Sequence, residues 1–309
     1  MKYSKIFAAV SVVASVSVMG CGGSSEKPAK TPDAVVMQVT KAIDQNQPQA
    51  VFQALPASYQ ADINSIVADA AKKMDTEVWS EGQALIKQVL KVAKAKKSLI
   101  LETRMLAANP DKDELSKSWD QSLEMLETIL DSDFADLNKL RKGDVENLLS
   151  GSGSELMKKA KNASVGHPGY AEMKANLEKM KSVKASVESQ DGDTAIVKIE
   201  AKGETPETVN FVRVEGKWIP KDMADSFTLK IAEARANIEK IDFTSEEGKA
   251  AKAKIMQQIG MVKTMIAQAE SAKTSAELEG VMMGIMMGAM SMGGGPGGPG
   301  GMPPPPPSM

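Results

Sequence analysis

Residues 183–220 read VKASVESQDGDTAIVKIEAKGETPETVNFVRVEGKWIP, and here the apolar residues recur at every second position. Val183, Ala185 and Val187 alternate with polar residues, and so do Ala195, Val197 and Ile199. That is the pattern of strands with one buried face. Asp191-Gly192 marks a turn, and Gly203 to Pro206 turns the chain again. Glu207 to Val214 forms a third strand, and Glu215-Gly216 is a tight hairpin signal. Lys217-Trp218-Ile219 makes a fourth, short strand closed by Pro220. The expected unit is an antiparallel meander over about residues 183–220, one face of it available to helices.

Outward from this stretch the period changes to that of helices. Upstream, Thr31-Pro32-Asp33 is a helix start, followed by Val35, Val36, Val39, Ala42 and Ile43 on one face. Gln45 to Pro48 breaks it, and a short helix runs through Ala50 to Leu55. Ser58 is expected to cap a helix carrying Tyr59, Ile63, Ile66 and Val67, and a further helix covers Val78 to Ala95. Leu99 to Ala107 continues helical until Asn109-Pro110 stops it. Helices follow through Trp119 to Leu130, from an Asp133 cap through Leu140, and from Asp144. Gly151-Ser152-Gly153 reads as a linker before a polar helix to about Asn162, and another helix covers Tyr170 to Met180. Downstream of the meander, Ala224 to Ile241 is helical, Ser245 caps a second helix, and Ser275 restarts a third through Leu278 to Met290. The fold class is therefore α+β, a mostly helical body with one small antiparallel sheet.

The ends differ from this body. Met1 to Lys5 is short and basic, and Ile6 to Val18 is apolar but too short to span a bilayer. This is the build of an export signal over residues 1–20. Val18-Met19-Gly20-Cys21 resembles the lipobox of bacterial lipoproteins, which implies a diacylglyceryl group on Cys21. Met19 departs from the usual small residue there. Residues 21–30 are small and polar, a tether. A lipidated terminus on a tether implies a body held at a membrane surface without spanning it. In two-membrane bacteria the absence of Asp at position 22 favours the outer membrane, facing the periplasm. From Gly293 the chain is Gly, Pro and Met, and residues 291–309 are expected to bury no core. Between the ends, residues 31–222 form the helical and sheet domain and residues 223–290 the C-terminal helices.

Composition narrows the chemistry. Two of the 38 basic side chains leave with the signal, against 40 acidic ones, so the mature chain is mildly acidic and no nucleic-acid partner is expected. A single cysteine excludes an internal disulfide and any Cys-based zinc site. The single histidine, His167, sits in a Gly-His-Pro-Gly turn without a nucleophile motif beside it. Asp111, Asp113 and Glu114 lack the Gly and distal Glu of a calcium loop and read as acids at a helix start. Trp218 is expected in the core rather than in a ligand cleft. Lys91, Lys94, Lys96 and Lys97 read as a solvated helix end that complements the dipole. No catalytic residue, cofactor or metal is expected.

The most unusual internal feature is a tandem GxxxG, Gly280, Gly284 and Gly288, with Met283 and Met287 among the methionines between. On a helix the glycines form a flat stripe that admits a second backbone, and methionines give an adaptable apolar surface. Packing on the body, self-association or a protein partner, and thioether binding of a soft metal all remain open for it.

Two segments together resemble NTF2-like exported lipoproteins. Thr31-Pro32 with its apolar helix, Asp44-Gln45-Asn46 and Ala50 to Pro56 are similar to that family's first helices. Val209 to Pro220, running through Glu-Gly-Lys-Trp, is similar to its final hairpin. The resemblance implies a curved sheet and a ligand pocket as an alternative to a role in protein contacts; the chain departs from the family in the long helical stretch between the two segments, a large insertion.

Overall fold

The computed structural model describes residues 29–162 and 170–292. In chain order these form α1 (Pro32–Asp44), α2 (Pro48–Gln53), α3 (Ala57–Lys73), α4 (Thr76–Ala95), α5 (Lys97–Leu101), α6 (Arg104–Ala107), α7 (Lys112–Leu130), α8 (Leu137–Leu140), α9 (Val145–Ser150), α10 (Ser152–Asn162) and α11 (Tyr170–Lys181). The strands β1 (Lys184–Asp191), β2 (Thr194–Glu200), β3 (Glu207–Val214) and β4 (Lys217–Pro220) follow, and then α12 (Lys221–Glu239), α13 (Glu246–Ser271) and α14 (Ser275–Met292). The architecture is α+β, a helical body with one antiparallel sheet in the order β1-β2-β3-β4.

The alternation in the sequence sets which face of the sheet is covered. Ala195, Val197 and Ile199 are buried, while Ile196 between them is exposed. The register places Val197 between Val187 of β1 and Val209 of β3. A bulge between Val187 and Ser189 shifts β1 by one residue. Glu215 and Gly216 both take positive φ, 50° and 76°, as the two-residue hairpin requires. On the covered face lies α1, which presents Val35, Val36 and Val39 to Val183, Val197, Phe211 and Trp218. Trp218 and Phe211 are each 1% exposed, so aromatic rings and valines fill the space between helix and sheet. The Trp218 indole N–H donates to the Lys30 carbonyl at 3.1 Å and ties the start of the body to the sheet.

Two further cores lie in the helical part. Phe52 of α2, Val145 and Leu149 of α9, and Ile63 and Val67 of α3 form one. The other joins α4, α5, α13 and α14 through Val92, Ile100, Ile266, Ala269 and Leu278, with Trp119 of α7 against it. Lys252 pairs with Asp75 and Glu77 near the start of α4, and Lys91 pairs with Glu270 near its end. Helices α4 and α13 therefore run side by side in the same direction. Helix α12 lies along α3 in the same sense: Tyr59 stacks on Phe227 at 3.7 Å, and Arg235 bonds Asp62 at 2.8 Å. The helices after residue 222 thus pack back onto the segment before the sheet.

Several local expectations are corrected. Ser58 does not cap α3; the residue before that helix is Pro56, and Ser58 N–H donates to Glu215 instead. Asp136, not Asp133, caps α8 through the N–H groups of Asn138 and Lys139. The linker expected at 151–153 shrinks to Gly151, because α10 begins at Ser152. The helix expected over 99–107 breaks at Thr103, whose backbone turns extended (φ −59°, ψ 146°) while its hydroxyl donates to the Ile100 carbonyl. That local bond competes with helix continuation.

Candidate functional site

Helix α14 starts from the turn at Ala272 and lies on the body through Leu278, Val281 and Met282. Leu278 is 1% exposed. At 100° per residue, Gly280 and Gly284 fall on the far side from Leu278 and Met282. A methyl group built at either glycine would meet no heavy atom within 4 Å. Met283, between them, is 61% exposed. The helix packs through one apolar face while the first two glycines of the stripe face no neighbour. Met287 and Gly288 continue the register one turn further along the same helix.

A second exposed apolar surface lies where α4 meets α7. Lys87 with Asp131 and Lys94 with Glu127 pair across this seam on one side. By helical register Ile86 and Val89 of α4, and Leu126 and Ile129 of α7, fall on the opposite side, and all four are exposed. The basic end of α4 is more engaged than its sequence implies. Lys91 and Lys94 pair with Glu270 and Glu127, Lys97 pairs with Asp120, and Lys96 Nζ donates to the Ala272 carbonyl. The cluster clamps α4 to α7 and α13 rather than simply facing solvent.

A groove of about 780 Å³ lies beside α1. Asp33, Met37, Lys41 and Asp44 follow one another along its helical wall; Met180, Lys181 and Val183 form the other, and Ala29 lies at its mouth. Ala29 N–H donates to Gln38 Oε1 at 3.3 Å, which holds the chain start against α1. At the far end Lys161 Nζ donates to the carbonyls of Ile43 and Asp44 at 2.7 and 2.6 Å, satisfying the open end of α1. Burial lowers the Lys161 ammonium below the ordinary lysine value, with Asp44 opposing the shift. Asp33 differs from its neighbours: its Oδ1 is shut off from solvent without a hydrogen-bond partner among the described residues.

The remaining sequence candidates separate. Asp111 stands before α7 without a side-chain cap bond, and Asp113 and Glu114 lie exposed in its first turn. Among the described residues no group of three or more His, Cys, Asp or Glu gathers as a metal ion would need. No described helix is long and apolar enough to cross a membrane. Cys21, His167, the expected signal and most of the expected tether, and residues 293–309 lie outside the described residues. The groove went unmarked in the sequence reading. Its wall on α1 carries a regular spacing, but Met180 arrives from nearly 150 residues away. Comparison of the chain with family models, with curated proteins and with solved structures gives no match.

Proposed function

We propose that this chain is a lipoprotein of a bacterial envelope, anchored through Cys21 and working by protein contacts rather than catalysis. The anchor rests on the basic start, the apolar run and the Val-Met-Gly-Cys step of residues 1–21. The observation that carries the contact role is the outer face of α14. Gly280 and Gly284 lie open there beside an exposed Met283, while the opposite face of the same helix is sealed against the body. Small residues at four-residue spacing let a second helix approach to backbone contact, and the thioethers adapt to its shape. The meander and α1 would be the walls of the pocket that the NTF2-like resemblance implies. A ligand reading that uses a cavity between them loses support, because Trp218, Phe211, Val36 and Val197 fill that space.

Two measurements test this. Mass spectrometry of the protein taken from membranes should find an N-terminal Cys21 carrying diacylglycerol; a mature chain with an unmodified cysteine removes the anchor. Cross-linking in those membranes should give a defined adduct with the wild type that disappears in Gly280→Leu/Gly284→Leu. Both substitutions raise helix propensity, and a Cβ at either position meets no heavy atom within 4 Å, so the far-UV circular dichroism of the variant should match the wild type. Unchanged adducts in that variant reject α14 as the contact surface.

A further inference from the structure

Met282 and Met283 are adjacent in α14 but have opposite surroundings. Met282 packs against the core that joins α4, α5, α13 and α14. Met283, about 100° further round the helix, is 61% exposed. The other exposed methionines among the described residues, Met37 and Met261, stand at 42% and 43%. A helical side chain leans toward the N-terminus of its helix, so Met283 lies over the turn that carries Ala276, Glu279 and Gly280. Ala276 and Gly280 have nothing long enough to shield a thioether. Glu279 does, but its carboxylate is turned to the Arg104 guanidinium at 3.4 Å. The Met283 sulfur therefore stands open on a face that is otherwise made of small residues.

An exposed thioether is open to two-electron oxidants, and oxidation turns a flexible apolar side chain into a polar one. We propose that Met283 is an oxidation site and that its sulfoxide switches off the contact face of α14. The site stands on exposure alone; the switch rests on the reading of α14 as a contact surface. The oxidant is a peroxide. The sulfur lone pair attacks one peroxide oxygen, the O–O bond breaks and an S=O bond forms. With hydrogen peroxide the proton of the transferred oxygen passes to the departing hydroxide, which leaves as water. Sulfur loses two electrons and the peroxide gains them. The effect on contact follows from the glycines. A helix seated over Gly280 and Gly284 comes to backbone distance and leaves no water layer for a new acceptor. A sulfoxide oxygen buried there without a donor keeps its desolvation penalty, which amounts to about tenfold or more in affinity. The opposite face is untouched, because Leu278, Val281 and Met282 lie against the body. Methionine sulfoxide reductases restore the thioether, so the switch is reversible.

The test uses the full chain in its own membranes, exposed to dilute hydrogen peroxide and then either digested for mass spectrometry or cross-linked. Met283 should gain one oxygen well before Met282, and the two should oxidise alike once the chain is unfolded in urea. Equal rates in the folded protein overturn the oxidation site. The wild-type adduct should fall about tenfold on oxidation and return after treatment with methionine sulfoxide reductase. Met283→Leu retains an apolar side chain of similar volume that peroxide leaves alone, so its adduct should persist. Oxidation of the partner is common to both samples, so the difference belongs to Met283. Met283→Gln places a polar group there without oxidant and should lower the adduct unprompted. Loss of the Met283→Leu adduct in peroxide rejects the switch, as does a wild-type adduct that persists with Met283 fully oxidised. A wild-type adduct missing before any peroxide is added rejects the contact reading of α14 itself, and the switch with it.

Discussion

Trp218→Ala is the substitution that most directly separates a packed sheet face from a ligand cavity. The side chain is 1% exposed and packs with Phe211, Val36 and Val39. Its indole N–H donates to Lys30 at 3.1 Å, and the Arg213 guanidinium lies 4.5 Å from its ring centroid. A buried tryptophan removes about 200 Å² from water, or about 5 kcal/mol at ~25 cal/mol/Å². That figure is an upper bound, because real unfolded chains already bury part of this area. Truncations of buried aromatics cost about 3–5 kcal/mol, and the lost hydrogen bond falls within that range. The expected loss is therefore about 4 kcal/mol, a large part of the ~5–15 kcal/mol by which domains are stable. Trp218→Phe retains the ring and loses the N–H, and should cost about 1–2 kcal/mol. The assay is urea unfolding followed by far-UV circular dichroism, since Trp79 and Trp119 complicate fluorescence. A Trp218→Ala loss below about 1.5 kcal/mol would refute the reasoning, because a side chain that lines an open cavity gives up little when truncated.

Gly143 and Gly216 both have positive φ, yet their alanine variants should differ. At Gly143 (φ 63°) a Cβ would sit 2.5 Å from the Asn64 carbonyl oxygen and 3.0 Å from Ala68 Cβ, both on α3. Gly143→Ala therefore adds overpacking to backbone strain and should cost about 3 kcal/mol, against about 1 kcal/mol for Gly216→Ala, which meets nothing within 4 Å; equal shifts of the urea midpoint contradict this. Asp75 caps α4 and also pairs with Lys252 of α13. The Lys252 hydrogen bond, and then the Val78 N–H, hold its carboxyl below the ordinary carboxylate value. A depressed folded value gives stability that is complete above the unfolded pKa and is lost as pH falls through the folded one. Asp75→Asn keeps an acceptor at the cap but removes the titration, so its stability should fall less steeply below about pH 4; parallel acid limbs in wild type and variant overturn this role for Asp75.

Much of the fold was legible because its signals are local. Period-two spacing of Ala195, Val197 and Ile199 marked the strand and its buried face, and Glu215-Gly216 marked the hairpin. The misreadings were local too, where one polar residue competed with another. Asp136 stood three residues beyond Asp133 as an equally good cap, and Thr103 broke a helix that propensity alone would continue. The GxxxG spacing of α14 was plain in the sequence, but which way it faces was not. Leu278, Val281 and Met282 turn the other side of the helix to the body, and Gly280 and Gly284 are left open.

The sequence by itself determined the α+β class, the order of the elements and the apolar face of each. Each of these follows from the chemistry of neighbouring residues. The tertiary structure alone decided what those faces meet. It set α12 along α3 and α13 along α4, turned the lysines at the end of α4 into clamps, and closed the sheet with Trp218. It also brought Met180 and Val183 into one groove with Asp33 and Met37 of α1. The reason is that periodicity says which side of an element avoids water, whereas its partner is chosen by packing among segments far apart in the chain.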